Sequence, residues 1–231
     1  KEGRLEAAQG DTSVLHPKYG LRKWVDRYIL DHCTAFVTLS DYMRQEALKI
    51  APASAQKHRK IPGGVDIDRF KPAEDKMAVR RELSLPEDKI ILLTVRRLAT
   101  RMGLENLIQA MAIVEKERAD VMLLIGGQGE IKEKLQQLIR DLRLQRTTMT
   151  GYIAYDKLPK YYQASDLFVM PSITLEGFGL STVEALACGV PVVGTSTGGT
   201  PEILNEVLPD FIFANTEPQT IAEGILGLLD S

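Results

Sequence analysis

Two carboxylates, Glu176 and Glu184, stand eight positions apart and bracket the turn Gly177-Phe178-Gly179, which runs into the apolar, helix-forming segment Leu180 to Cys188. A loop that enters a helix N-terminus offers unpaired N–H groups and a partial positive charge, which suit phosphate. Carboxylates on either side of such a turn can accept hydrogen bonds from hydroxyls. Together these features point to a ligand that carries both phosphate and several hydroxyls, as a sugar nucleotide does.

A diphosphate needs more positive charge than one helix end supplies, because it carries roughly two negative charges and the helix offers about half a positive one. Arg96, Arg97 and Arg101 follow the β-rich run Lys89 to Arg96 and can make up the difference. One guanidinium at ~4 Å and an effective dielectric of ~20 adds on the order of 4 kcal/mol of attraction before desolvation. The competing reading of these arginines is a solvated surface loop. Glu184 also has two readings. It can accept both hydroxyls of a cis-diol such as a ribose, or, since Ser181-Thr182-Val183-Glu184 fits a capping box, it can turn back onto its own helix end. Glu176 is less easily explained as structure, because it precedes a glycine turn among apolar neighbours.

The elements that must position these residues alternate regularly. Strands are expected over Lys89–Arg96, Val121–Gly126, Thr147–Gly151, Leu167–Pro171, Val190–Thr195 and Asp210–Ala214, and helices over Leu104–Glu117, Glu130–Arg143, Tyr155–Ala164, Leu180–Cys188 and Pro218–Leu229. β-rich runs separated by amphipathic helices imply a doubly wound parallel sheet covered on both faces, an α/β fold. In such a sheet ligands sit beyond the carboxyl ends of the strands. The arginines, Gly126-Gly127-Gln128-Gly129, Gly151-Tyr152-Ile153, the Glu176 to Ser181 loop and Thr195 to Gly199 all follow strands, so they share one rim. The Gly126 to Gly129 run is not a dinucleotide fingerprint, because Lys132 stands where the third glycine belongs. It reads as a tight turn close to a base or phosphate.

Upstream, residues 12 to 64 form a shorter helix, strand, helix, strand segment. Leu21, Trp24, Val25, Tyr28, Ile29 and Cys33 recur at helical spacing, as in a helix packed on a sheet; a basic membrane-surface helix is the alternative, diluted by Asp26 and Asp31. Ser40 or Asp41 can cap the following helix. Residues 65–88, rich in charge and carrying Pro72 and Pro86, read as a linker with one short helix near Met77 to Leu83. The polar stretch Lys1 to Asp11 lacks either period, and the chain, which opens without Met, is expected to be a fragment of something longer.

Composition narrows the function classes. The 231 residues are 44% hydrophobic and 26% charged with a formal net charge of -2, which gives no global attraction for nucleic acid. Cys33 and Cys188 both lie in apolar segments, are expected to be buried thiols, and form neither a disulfide framework nor a metal-ligand spacing. That usage favours a reducing compartment. No apolar run is long enough to span a bilayer.

Four motifs in order carry a resemblance. Glu176 and Glu184 within the run to Val193, the Gly198 to Glu202 run (Gly-Gly-Thr-Pro-Glu), Gly64 to Phe70 (Gly-Val-Asp-Ile-Asp-Arg-Phe) and Arg97 to Gly103 (Arg-Leu-Ala-Thr-Arg-Met-Gly) together resemble a family 4 retaining glycosyltransferase. The resemblance covers residues 34 to about 229. It implies a GT-B architecture: residues 1–64 are the C-terminal portion of an N-terminal acceptor domain, 65–88 the linker, 89–215 a Rossmann-like nucleotide-sugar domain and 216–231 a C-terminal helix. It assigns Glu176 to the donor sugar hydroxyls as the catalytic residue, with the Phe178 and Gly179 backbone nearby. Gly179, Leu180, Ser181 and Arg97 go to the diphosphate, Glu184 to the ribose, and the loop at Tyr152 and Ile153 to the base. The family commonly has Lys where this chain has Met102, so Arg101 is expected to supply the second cation.

The implied activity is transfer of a sugar from a UDP- or GDP-sugar to a hydroxyl acceptor with retention, using neither metal nor other cofactor. The acceptor would be a glycan, a lipid-linked saccharide or a small molecule. The implied location is cytoplasmic, with peripheral association at the inner membrane face as a second setting. A phosphorylase or disaccharide synthase on the same architecture, and a non-catalytic nucleotide-sugar-binding module, are the other readings.

Overall fold

The computed structural model describes residues 17–230. The chain divides between Gly63 and Gly64 into two compact units. The polar stretch Lys1 to Asp11 lies outside the described residues.

The first unit contains α1 (Pro17–His32), β1 (Phe36–Thr38), α2 (Asp41–Ile50) and β2 (His58–Lys60), with a 3-10 turn at Pro52–Lys57. Ser40 caps α2, its Oγ accepting from the Met43 N–H at 3.1 Å, as a short hydroxyl before a helical run should. The two strands pair in parallel with Phe36 opposite His58. Helix α1 forms where its periodicity places it, but its apolar face does not pack as expected: Leu21, Trp24, Tyr28 and Ile29 are exposed. Two strands of three residues each offer little sheet to cover it. The rings of Trp24, Tyr28 and His32 instead stack along the helix, with centroids 5.7 and 4.1 Å apart. Cys33 is only half-buried, its Sγ–H donating to the Leu30 carbonyl at 3.2 Å, so of the two thiols expected in the core only Cys188 is there.

The second unit begins with α3 (Lys76–Glu82) and continues through β3 (Ile90–Val95), α4 (Leu104–Glu117), β4 (Val121–Gly126), α5 (Lys132–Asp141), β5 (Thr147–Gly151) and α6 (Leu158–Ala164). Then follow β6 (Leu167–Met170), α7 (Leu180–Ala187), β7 (Val192–Thr195), α8 (Thr200–Val207), β8 (Ile212–Phe213) and α9 (Pro218–Leu229). The six strands form one parallel sheet in the order β5-β4-β3-β6-β7-β8. The fold is the expected doubly wound α/β class. Helix α8 is not among the expected helices: the rim loop reads as Thr195 to Gly199 with no element assigned after it, yet Pro201 fits a first helical turn, where it gives up only an N–H that the helix leaves unpaired.

Because side chains alternate along a strand, the central strands feed two cores. Leu92, Leu123, Ile125, Val169 and Val193 pack on one face with α4 and α9, while Ile91, Leu93, Leu124, Phe168, Met170 and Val192 pack on the other with Tyr162 and Ala185. This is why the strands read as continuous apolar runs rather than alternating ones.

Residues 65–88 are tied into the second unit by a buried charge. The Arg80 guanidinium, 1% exposed, donates to the Ala164 carbonyl and the Lys89 carbonyl, both at 2.9 Å, and pairs with Asp166. Asp166 also accepts from the Ile91 N–H at 2.7 Å. Phe70 fills the same side, edge-on to Tyr155 and Tyr162 at 6.0 Å.

Candidate functional site

The strand order reverses between β3 and β6, which makes the crevice beyond their carboxyl ends the topological switch point where ligands bind in open α/β sheets. The loops that leave these two strands carry Arg96, Arg97 and Arg101 on one side and Glu176 to Ser181 on the other. The residues that read as chemical in the sequence thus converge because of sheet order, not proximity along the chain.

At the entrance to α7, Gly179 has φ +84°, a conformation that residues with a Cβ adopt only under strain. A Cβ there would lie 3.1 Å from Thr182 Oγ1 and 3.2 Å from Thr200 Oγ1, tight contacts that add to the backbone strain any other residue would carry. Both hydroxyls are buried and have no partner among the described residues. No side chain caps the first turn of α7. Phe178 is buried, Leu180 is exposed, and Ser181 Oγ reaches the Val95 carbonyl at 3.5 Å, which links the first turn of α7 to the end of β3. The start of α8 joins this cluster through the Gly199 N–H, which donates to the Glu176 carbonyl at 2.8 Å.

The capping box proposed for Glu184 does not form. Its carboxylate instead accepts from the Tyr162 hydroxyl at 2.8 Å. Burial raises the Glu184 carboxyl above its ordinary value of 4.5, and the Tyr162 hydrogen bond partly opposes that shift. The Tyr162 hydroxyl is itself pushed up strongly, mainly by burial and then by the adjacent carboxylate, so it remains a donor. Cys188, also buried nearby, has its thiol pushed up to about 12 by desolvation and then by Glu184, which makes it a packing residue rather than a nucleophile.

The arginines divide their roles. Arg97 is 55% exposed and sits 3.9 Å from Glu130 across the rim. Arg101 turns toward the opposite loop, where its Nη1 donates to the Leu175 carbonyl at 3.2 Å. Met102, at the position where lysine was the family expectation, is in the core beside Leu98 and Leu104. Arg96, grouped with the other two in the sequence as a candidate cation for the diphosphate, instead turns inward. Its side chain, 3% exposed, donates to Ser172 Oγ at 2.6 Å and pairs with Glu176, which is 14% exposed. Its position at the end of a switch-point strand was the available signal, but only the fold shows that it faces Glu176.

The glycines after β4 serve close approach between loops. Gly127, at φ +135°, would place a Cβ 1.8 Å from the Arg96 carbonyl oxygen, and the Arg96 N–H bonds to Gly126 at 2.9 Å. At the proposed base loop, Tyr152 is 65% exposed while Ile153 packs its side chain over Gly126. Tyr152 offers a ring face and Ile153 only its backbone. Among the described residues no group of three or more His, Cys, Asp or Glu is placed to hold a metal ion.

A family model described as Glycosyl transferases group 1 matches residues 75–231. Among curated relatives, the GDP-mannose-dependent monoacylated alpha-(1-6)-phosphatidylinositol monomannoside mannosyltransferase of Corynebacterium glutamicum is 34% identical over 178 residues, covering 74% of this chain and 46% of its own length. A GDP-mannose-dependent alpha-(1-6)-phosphatidylinositol monomannoside mannosyltransferase of Mycolicibacterium smegmatis is 33% identical over 199 residues, covering 83% of this chain and 52% of its own. Among solved structures, the sucrose-phosphate synthase of Thermosynechococcus elongatus matches with a TM-score of 0.80 at 27% identity over 96% of this chain and 55% of that one. WaaG, a glycosyltransferase involved in lipopolysaccharide biosynthesis, shares the fold, with a TM-score of 0.83 at 20% identity over 98% of this chain and 63% of its own. The chain spans about half the length of the curated relatives it matches. With a parallel α/β unit of GT-B type, a loop and helix entrance at its switch point and a family match over most of that unit, the chain belongs to the glycosyl transferases group 1 family.

Proposed function

We propose that the second unit is the donor half of a retaining glycosyltransferase, which binds a nucleotide sugar at the β3 and β6 rim and passes the sugar to a hydroxyl acceptor. The observation that carries this reading is the convergence of Glu176, the Gly179 entrance to α7 and the arginine loop on one crevice. In this reading the α7 entrance, with the backbone of Gly179, Leu180 and Ser181, receives the diphosphate, and Arg97 and Arg101 add cationic charge. Glu184, held by Tyr162, accepts from the ribose, and Tyr152 lies against the base. Glu176 accepts from the sugar hydroxyls.

The leaving diphosphate gains negative charge as the glycosidic bond breaks, and fixed donors at a helix end stabilise that state more than the ground state. Same-face attack with a phosphate oxygen taking the acceptor proton needs no protein nucleophile, and the reaction is proposed to run without metal. GDP-mannose dependence in two relatives favours a GDP-sugar, and their phosphatidylinositol monomannoside acceptors favour a lipid-linked saccharide at a membrane face. UDP in the fold-related HepE keeps uridine donors in the test.

A thermal-shift series with GDP, UDP, GDP-mannose and UDP-glucose tests the binding step, since a ligand that binds only the folded chain raises its midpoint by mass action. No shift with any of the four would sink the donor-site reading. A nucleotide-sugar-binding module without turnover is the second reading. Transfer or slow donor hydrolysis by this chain would exclude it.

A further inference from the structure

Glu176 is held from three directions. Its Oε2 accepts from Arg96 Nη2 and from Ser172 Oγ, the latter at 3.1 Å, while Arg96 Nη1 donates to the same hydroxyl at 2.6 Å. Three side chains therefore close a ring that leaves Oε1 of Glu176 for a ligand. The backbone is fixed as well. Leu175 has φ +54°, a left-handed conformation unusual for a residue with a branched side chain, and Arg101 holds its carbonyl. The next carbonyl, that of Glu176, accepts from Gly199 of the α8 entrance. Strain of this kind persists only where the surroundings over-determine it.

Resting on the donor-site reading above, we propose that Arg96 is a positioning residue that presets Glu176 toward the sugar of a nucleotide sugar. Arg96 does not itself meet the phosphate, because its guanidinium is buried and engaged by Glu176 and Ser172. Two physical consequences follow from the pairing. A carboxylate this deep is costly unless it is paired, and the planar guanidinium supplies charge and a fixed geometry together. The pair is also neutral, so Glu176 accepts sugar hydroxyls without setting a net negative charge beside the diphosphate. A carboxylate without its arginine would repel the ligand it is meant to orient.

The test compares affinities for a nucleoside diphosphate and for its nucleotide sugar, GDP with GDP-mannose or UDP with UDP-glucose, by calorimetry. Their ratio isolates what the sugar adds. Arg96→Met is expected to lower the ratio of nucleotide-sugar to diphosphate affinity roughly ten- to a hundredfold, the fold-change of one charge-assisted hydrogen bond, beyond any loss that the unpaired Glu176 carboxylate imposes on both ligands alike. Glu176→Gln should reduce the same ratio, Arg96→Lys should recover part of it, and the double variant should lose no more than the worse single one. Equal losses for diphosphate and nucleotide sugar, no loss, or additive losses would each overturn the assignment, as would a wild-type chain for which the sugar adds nothing. If Arg96→Met does not fold by circular dichroism, Arg96→Lys and Glu176→Gln decide the matter with the same ratio. A wild-type chain that binds neither ligand defeats the donor site itself, and that outcome is distinct from one in which binding is intact and only the ratio ignores Arg96.

Discussion

Arg97 and Glu184 show how far a residue's type determines its role. Arg97 is the most exposed of the rim arginines and lies 3.9 Å from Glu130, so an incoming phosphate meets it with little further desolvation. Replacing it with alanine should weaken nucleoside diphosphate binding by about 1.5–3 kcal/mol, the scale of a charged hydrogen bond, as read by calorimetry. Unchanged affinity would remove its phosphate role. Glu184 carries a pH dependence whose sign follows from its environment. Its folded-state pKa is raised by burial, so any stability linked to its protonation is full below the ordinary value of 4.5 and is lost as pH climbs through the elevated one. Glu184→Gln cannot ionise and is expected to gain melting temperature relative to the wild type on going from about pH 4 to about pH 8, while losing nucleotide affinity. A melting difference that is flat with pH would contradict the burial argument, and intact nucleotide affinity the ribose role.

Elements rather than single residues set the shape of the crevice. Helix α7 can start where it does because Gly179 takes up a left-handed turn against Thr182, Thr200 and Met170. Gly179→Ala should cost about 1–2 kcal/mol of stability from backbone strain alone, measured by denaturant unfolding, and should lower nucleotide affinity by moving the helix entrance. A variant that is destabilised yet binds normally would show that the entrance tolerates displacement. Helix α3 depends on one side chain in a similar way. Arg80→Met leaves Asp166 without its buried partner and should destabilise the chain by about 3–5 kcal/mol with little direct effect on the rim. Equal stability to the wild type would show that Lys76, 3.0 Å from Asp166, suffices as its cation.

At the scale of the molecule, a sheet buried on both faces keeps the strands rigid while the loops at its carboxyl edge are left for chemistry. Strand order places the loops after β3 and β6 beside each other, and that adjacency gives a site built from residues 80 positions apart, Arg96 and Glu176. In the proposed reaction helix ends and guanidinium groups take the part of a cation. Donor hydrolysis or transfer should therefore persist in excess EDTA, and loss of activity that is restored by a divalent ion would reject the metal-free mechanism.

By itself the sequence determined the α/β class, most strand and helix positions in the second unit, and the rim loops on which Glu176, Gly179 and the arginines lie, because these follow from local periodicity and turn chemistry. It left Glu184 between a cap and a ligand acceptor, and only the packing of α6 against α7, which brings the Tyr162 hydroxyl to that carboxylate, decided against the cap. It did not reveal that the face of α1 is uncovered, since periodicity reports an apolar stripe but not what covers it. Nor could it single out Arg96 from its neighbour Arg97. Adjacent residues at a strand end point to opposite sides, and it took the β3 and β6 pairing to turn one inward onto Glu176 and leave the other at the open edge.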